Sequence, residues 1–312
     1  MKIRPFSPPY YAVAVDDLRD RLRRTRWPDE VPDSGWDYGT DAAFLREMFL
    51  YWADGFDWRR QIEQMAAFRH FLFSSEDLEI HFIHERGKGT APIPLILTHG
   101  WPGSFLEFAK IIPLLTDPGS HGADPADSFT VIAPSLPGYG YSGKPDRGVN
   151  AFVTADCWAA LMSELGYTKF GAQGGDIGAG VTTALGLRHA DRLLGIHLNF
   201  IPGSYEPDLR EVTRLFEVEK AYLRNAGKWR DDHGAYAHIQ RTTPLTAAYG
   251  LNDSPAGLAA WILEKFRNWS DCDGDLLRLF PRDELLANIT LYWMTETIYS
   301  SFRMYFEGQG LR

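Results

Sequence analysis

The chain has 312 residues, 45% of them hydrophobic, enough to bury a large core in one sizeable domain with an insertion or extension. A formal net charge of −9 argues against nucleic acid or anionic membrane as partner, since both repel an acidic surface. Two cysteines, Cys157 and Cys272, lie far apart and form no metal or redox motif, so free thiols in a reducing cytosol are expected.

The N-terminal stretch "MKIRPFSPPYYAVAVDDLRDRL" reaches charges before it accumulates a signal-peptide core. No window approaches about 18 uninterrupted apolar residues. A cytoplasmic, unanchored protein is the expectation, with a homo-oligomer left open. "AVDDLRDRLRRTR" (14–26) reads as a helix, and "WPDEVPDSGWDYGT" after it as an irregular Pro/Gly/Asp-rich stretch. Helical patterns follow from Asp41 to about Trp52 and in "FDWRRQIEQMAAF".

"LEIHFIHERG" reads as a strand, and "PIPLILTHG" as a short apolar run suited to a strand buried on both faces. "FTVIAPSLPGYG" repeats the pattern. A helix from about Val153 to Leu165, the strand "KFGAQGG", a helix from about Ile177 to His189 and the strand "LLGIHLNF" complete the series. This alternation predicts a parallel sheet with helices on both faces. Catalytic groups on such sheets gather at the C-terminal strand ends. Four strands here end in Gly- or Pro-marked loops, at Gly100, Pro134 to Gly140, Gly174 to Gly178 and Pro202. From Ile201 to about Pro281 aromatic-rich helical pieces take over, as in an inserted lid, and "RDELLANITLYWMTETIYSSFRMYFE" reads as one long helix. The expected division is 1–90 for the N-terminal extension and first strands, 91–200 for the core, 201–281 for the lid and 282–312 for the long helix returning to the core.

The chemistry centres on "AQGGDIGAGVTTAL". Gly174, Gly175 and Gly178 surround Asp176 on a strand-to-helix turn, as a nucleophile elbow requires where backbones crowd together. A lone Asp at such a place is commonly an N-cap. As a nucleophile, it would be kept ionised by the helix N-terminus and the backbone N–H groups of the turn, and would attack carbon without a base to activate it. "HGWPGS", at the end of a buried strand, is placed where α/β-hydrolases carry an oxyanion loop, which assigns the N–H groups of Trp101 and Ile177 to an oxyanion hole. Trp101–Pro102 is a candidate cis bond.

"FDWR", "HFIH", "HGWPGSFLEF", "IIPLLTDP", "PSLPGYGYS", "QGGDIG", "LNDSPAGLAAWILEKF" and "LYWMTETIYSSFRMY" occur in this order over nearly the whole chain. Together they resemble the microsomal-type epoxide hydrolases. The resemblance implies an α/β-hydrolase fold with an N-terminal meander and a helical lid, and no metal or organic cofactor. It implies that Asp176 opens an apolar epoxide to a hydroxyalkyl ester while Tyr236 ("GAYAHIQ") and Tyr305 ("SSFRMYFE") hydrogen-bond the epoxide oxygen. Water then releases a vicinal diol. As isolated residues both tyrosines would read as packing aromatics.

The histidine base and orienting acid of the second step belong, in the family, beyond the helix that carries Tyr305. Neither is found in this chain, so the last strands and helix of the fold are expected to be missing, the sequence to be C-terminally truncated, and the ester to form and then stall. His197 is read as a buried core histidine, and His99 as a brace for the oxyanion loop. His81, His84, His121, His189, His233 and His238 are not placed as bases, and Asn199 cannot carry an acid's charge. Ile177 stands where relatives often have tryptophan. Two rival readings are a haloalkane dehalogenase, disfavoured because Ile177 removes an indole donor, and a non-catalytic homologue serving as a binding module.

Overall fold

The computed structural model describes residues 2–75, 78–200 and 214–308. Within them a seven-stranded sheet is built from β1 (Ile3–Phe6), β2 (His70–Ser75), β3 (Leu78–Glu85), β4 (Ile93–Thr98), β5 (Phe129–Pro134), β6 (Phe170–Gly174) and β7 (Leu193–Leu198), in the order β1-β2-β3-β5-β4-β6-β7. The strands β5, β4, β6 and β7 are mutually parallel, as the alternating pattern predicted. The pairings β1–β2, β2–β3 and β3–β5 are antiparallel. The strands β1 and β2 were not foreseen. They are short, β1 contains Pro5, and they exist because β3 offers them an edge.

Before the core come α1 (Ala12–Arg23), α2 (Ala42–Asp54) and α3 (Trp58–Met65), then α4 (Ile111–Thr116), α5 (Ala151–Glu164) and α6 (Ile177–Arg188). Asp41 caps α2 by accepting from the Phe44 N–H at 2.6 Å, and Asp57 caps α3 by accepting from Arg60 N–H at 3.1 Å. The helices α5 and α6 pack together, and α6 lies on β4, β6 and β7. Ile96, Leu97, Val131, Ile132, Ala133, Phe170 and Ala172 are all at most 2% exposed, so the middle strands form the centre of the core. Burying one such side chain stabilises the fold by about 1.5–3 kcal/mol.

The lid contains α7 (Glu217–His233), α8 (Ala235–Thr242), α9 (Pro244–Asp253), α10 (Pro255–Asn268) and α11 (Leu276–Leu279). Its expected start, with Pro202, lies outside the described residues. The N-terminal extension clamps this lid: α1 and α2 pack on α10, Arg21 pairs with Asp253, and Thr40 Oγ1 donates to the Ala260 carbonyl at 2.8 Å.

The predicted long helix is two helices, α12 (Arg282–Thr295) and α13 (Ile298–Glu307). Glu296 between them adopts a left-handed conformation, φ 51° and ψ 41°, and Thr297 N–H closes the turn on the Tyr292 carbonyl at 3.2 Å. The break lets α12 pack on α3 and α10 while α13 packs on α8 and α9. A straight helix could not serve both sets of partners.

His197 is also a correction. It is exposed, because β7 is the outer strand of the sheet, where Leu194 and Ile196 are exposed as well. Among the described residues, no helix is long and apolar enough to cross a membrane.

A chain of buried histidines ties the first strands to the core. His70 Nε2 bonds the Met65 carbonyl at 2.7 Å, His70 Nδ1 meets His81 Nε2 at 2.8 Å, and His81 Nδ1 meets Ser135 Oγ at 2.8 Å. Burial lowers the pKa of both rings, and that of His99 to about 4. These rings stay neutral in the folded chain but charge in the unfolded one below about pH 6.5, so their contribution is complete above that pH and lost as pH falls. His99 alone should remove about 3 kcal/mol between pH 6.5 and 4. Urea unfolding across this window should show the decline, and a flat profile would contradict it.

Candidate active site

At the C-terminal end of β6 the chain turns sharply into α6, and Asp176 sits on the turn with φ 52° and ψ −122°. A non-glycine residue in this region is strained, and such strain concentrates at functional sites. The turn closes only because its neighbours lack side chains. A Cβ on Gly174 would overlap the Gly178 carbonyl, and one on Gly178 would overlap the Thr98 carbonyl at the end of β4. Since both obstacles are backbone, Gly178→Ala is expected to destabilise the protein by about 3 kcal/mol or more. A thermal melt within a degree or two of the parent would count against this packing.

Asp176 is the residue that precedes α6, yet its side chain makes no capping hydrogen bond there. Its Oδ1 instead accepts from Trp101 N–H at 2.9 Å, and Ile177 N–H is the second backbone group that stabilises its charge. The structure therefore brings together Asp176 and the two N–H groups that the sequence assigned to an oxyanion hole. Gly100 permits the approach, because a Cβ there would stand 2.5 Å from Asp176 Oδ1. The carboxyl is half-buried and is lifted above the ordinary carboxylate range by desolvation, with the Trp101 and Ile177 amides pulling it back. Burial outweighs the amides, a balance the turn sequence alone did not reveal.

The loop after β4 is held by its carbonyls. His99 Nδ1 donates to the Gly100 carbonyl at 3.1 Å, Asn288 Nδ2 to that of Pro102 at 2.8 Å, and Tyr292 Oη to that of Gly103 at 2.8 Å. The Trp101–Pro102 bond is cis. His99 Nε2 accepts from Leu136 N–H at 3.1 Å, so both ring nitrogens are engaged and the ring is a brace. Asn288 and Tyr292 were not singled out from sequence. They lie one turn apart on α12, and an Asn-x-x-x-Tyr spacing on one helical face was the available signal.

Tyr236 comes from α8 and Tyr305 from α13, their ring centroids 6.0 Å apart. Trp101 stacks on Tyr236 at 5.2 Å and meets Tyr305 edge-on at 6.1 Å. Burial raises the phenol of Tyr236 to about 12 and raises that of Tyr305 well above the ordinary value, and the charge of Asp176 adds to both. Both hydroxyls therefore stay protonated donors at neutral pH.

A cavity of about 180 Å³ opens beside Asp176, walled by Trp101, Pro102, Phe266, Trp269 and Phe280, with Glu107 and Lys265 as its other charged groups. Lys265 is buried, pairs with Glu264, and stands 5.2 Å from the ring centres of both Tyr236 and Trp261. The tyrosines are not among the residues lining this cavity. Glu107 and Lys265 fall inside two of the matched motifs, but nothing in either motif marked them as pocket residues.

A mixed sheet with a parallel centre and an acid on a strained elbow, facing a backbone-donor loop beneath a helical lid, defines an α/β-hydrolase. The family described as "Epoxide hydrolase N terminus" matches residues 3–108, and that described as "alpha/beta hydrolase fold" matches residues 93–217. The chain is 45% identical over 309 residues to a Stigmatella aurantiaca protein whose name places it among epoxide hydrolases, covering 99% of this chain and 70% of that one. It is 39% identical over 341 residues to Epoxide hydrolase 1 of Oryctolagus cuniculus, covering 99% and 73%. The solved Aspergillus niger epoxide hydrolase superposes with a TM-score of 0.85 at 31% identity, covering 98% of this chain and 78% of that one. The chain belongs to the epoxide hydrolase family. The matches run across nearly all of it and give no support to the expectation of a truncated sequence.

Proposed function

We propose that this epoxide hydrolase works through an ester on Asp176. The carboxylate attacks an epoxide carbon, the C–O bond breaks, and the oxygen takes a proton from Tyr236 or Tyr305. Water then attacks the ester carbonyl, its oxyanion accepting from the N–H groups of Trp101 and Ile177, and a vicinal diol leaves. The observation that carries this reading is the Asp176 carboxylate held at 2.9 Å by Trp101 N–H in a strained elbow, rather than capping its helix. The aromatic walls of the cavity favour an apolar epoxide.

Among the described residues no histidine bonds Asp176. Mixing the protein with styrene oxide and measuring intact mass should show a gain of one epoxide, located on Asp176 by peptide mapping. An unmodified protein together with no diol would sink the proposal. The dehalogenase reading keeps one observation in its favour, the buried indole N–H groups of Trp101 and Trp269 without partners among the described residues. Halide release from a haloalkane, with no diol from an epoxide, would favour it.

A further inference from the structure

Among the described residues one basic side chain lines the cavity beside Asp176, and the ester mechanism gives it no part. This is Lys265, from α10, which at 7% exposure is a buried charge. Its ammonium stands among three rings, with Nζ 5.2 Å from the centres of Tyr236 and Trp261 and 6.0 Å from that of Trp269. The electron-rich faces of such rings attract a cation and fix where it stands. Glu264, its neighbour on α10, pairs with it and also accepts from Asn268 Nδ2 at 2.6 Å, so the acid is tied from two sides. Among the described residues Lys265 forms no ion pair with Asp176.

We infer that Lys265 strengthens Tyr236 as a proton donor in epoxide opening, by standing at the ring of a phenol that turns negative as it gives up its proton. The inference rests on the ester reading above. In that step a carboxylate oxygen of Asp176 bonds to an epoxide carbon. The carbon–oxygen bond breaks with its electron pair left on oxygen, and that oxygen takes the Tyr236 proton. The negative charge of Asp176 has then passed to the Tyr236 phenolate, which recovers a proton from water and leaves hydroxide to the solvent.

A cation speeds this step only if it favours the transition state over the starting complex. Lys265 meets that condition, because it has only ring-face attraction for the neutral phenol but a full opposite charge for the phenolate. The other groups acting on this phenol are Asp176 from the elbow, which opposes its ionisation, and Arg241 on α8 and a hydrogen bond with Tyr305 from α13, which favour it. Esterification removes the opposing charge while Lys265 stays in place. Lys265 therefore acts through Tyr236, as a positioning residue, and not on the reacting atoms.

The test follows the rate of adduct formation by intact mass over a range of styrene oxide concentrations. The proteins are the parent, Lys265→Met, Lys265→Arg, Glu264→Gln, and Lys265→Met combined with Tyr236→Phe. Lys265→Met should lower the limiting rate at least tenfold and leave the half-saturating concentration unchanged, and Lys265→Arg should recover most of that loss. Once Tyr236 is phenylalanine, Lys265→Met should have little further effect. Glu264→Gln should form the adduct at least as fast as the parent, since it leaves the cation uncompensated. A purely structural ion pair predicts instead that removing either partner slows the step alike, and slowing by Glu264→Gln would overturn the inference even if Lys265→Met did not fold. Equal limiting rates in parent and Lys265→Met would overturn it too. Absence of any adduct in the parent would overturn the ester reading itself and this inference with it.

Discussion

Asp176→Ala is expected to leave no covalent adduct and to lower epoxide consumption by a factor on the order of 10⁴, because it removes the carboxylate held in the elbow that forms the first bond. The fold should survive. Among the described residues the lost side chain is bonded by the Trp101 and Ile177 amides, and both can be met by water from the adjoining cavity. Far-UV circular dichroism and a melting curve separate lost chemistry from lost structure. The parent should also show the acid requirement of its nucleophile. Attack needs the carboxylate, and burial raises that group above the ordinary range, so adduct formation should fall away at a pH higher than a free aspartate would dictate. An Asp176→Ala protein that still consumes epoxide at the parent rate would remove this residue from the mechanism.

The second large effect is expected from Tyr236→Phe combined with Tyr305→Phe. Each change keeps the ring that packs on Trp101 and deletes only the hydroxyl, so melting temperature should move little while adduct formation slows by roughly 10²–10⁴. Each single variant should lose less than the pair, since the other donor remains. Packing alone would predict the opposite pattern, with rates untouched. The alkaline limb gives an independent check. With Tyr236 raised to about 12, donation should persist through pH 10, where an ordinary phenol would be half ionised.

Much of this site was legible because it is local in sequence. Gly174, Gly175, Asp176 and Gly178 fall within five residues, and the oxyanion loop directly follows a recognisable buried strand. What escaped depends on tertiary closure. Glu107 meets Asp176 only when the loop after β4 folds against the elbow. The break at Glu296 could not be seen in "MTETIY", which has neither glycine nor proline and is imposed by two separate packing surfaces. His197 looked buried because an apolar strand pattern does not say whether the strand is central or outermost.

The turn at Glu296 also bears on how the enzyme responds to heat. By redirecting α13 onto α8 and α9, it joins the two hydroxyls from different elements, one carried by the lid and one by α13. The donor pair is therefore a property of the docked interface, while Asp176 and its amides belong to the sheet. Loosening of that interface would separate the donors with the nucleophile still in place. Activity is then bounded by the cohesion of the lid, and the temperature at which catalysis fades should lie below that at which the sheet melts.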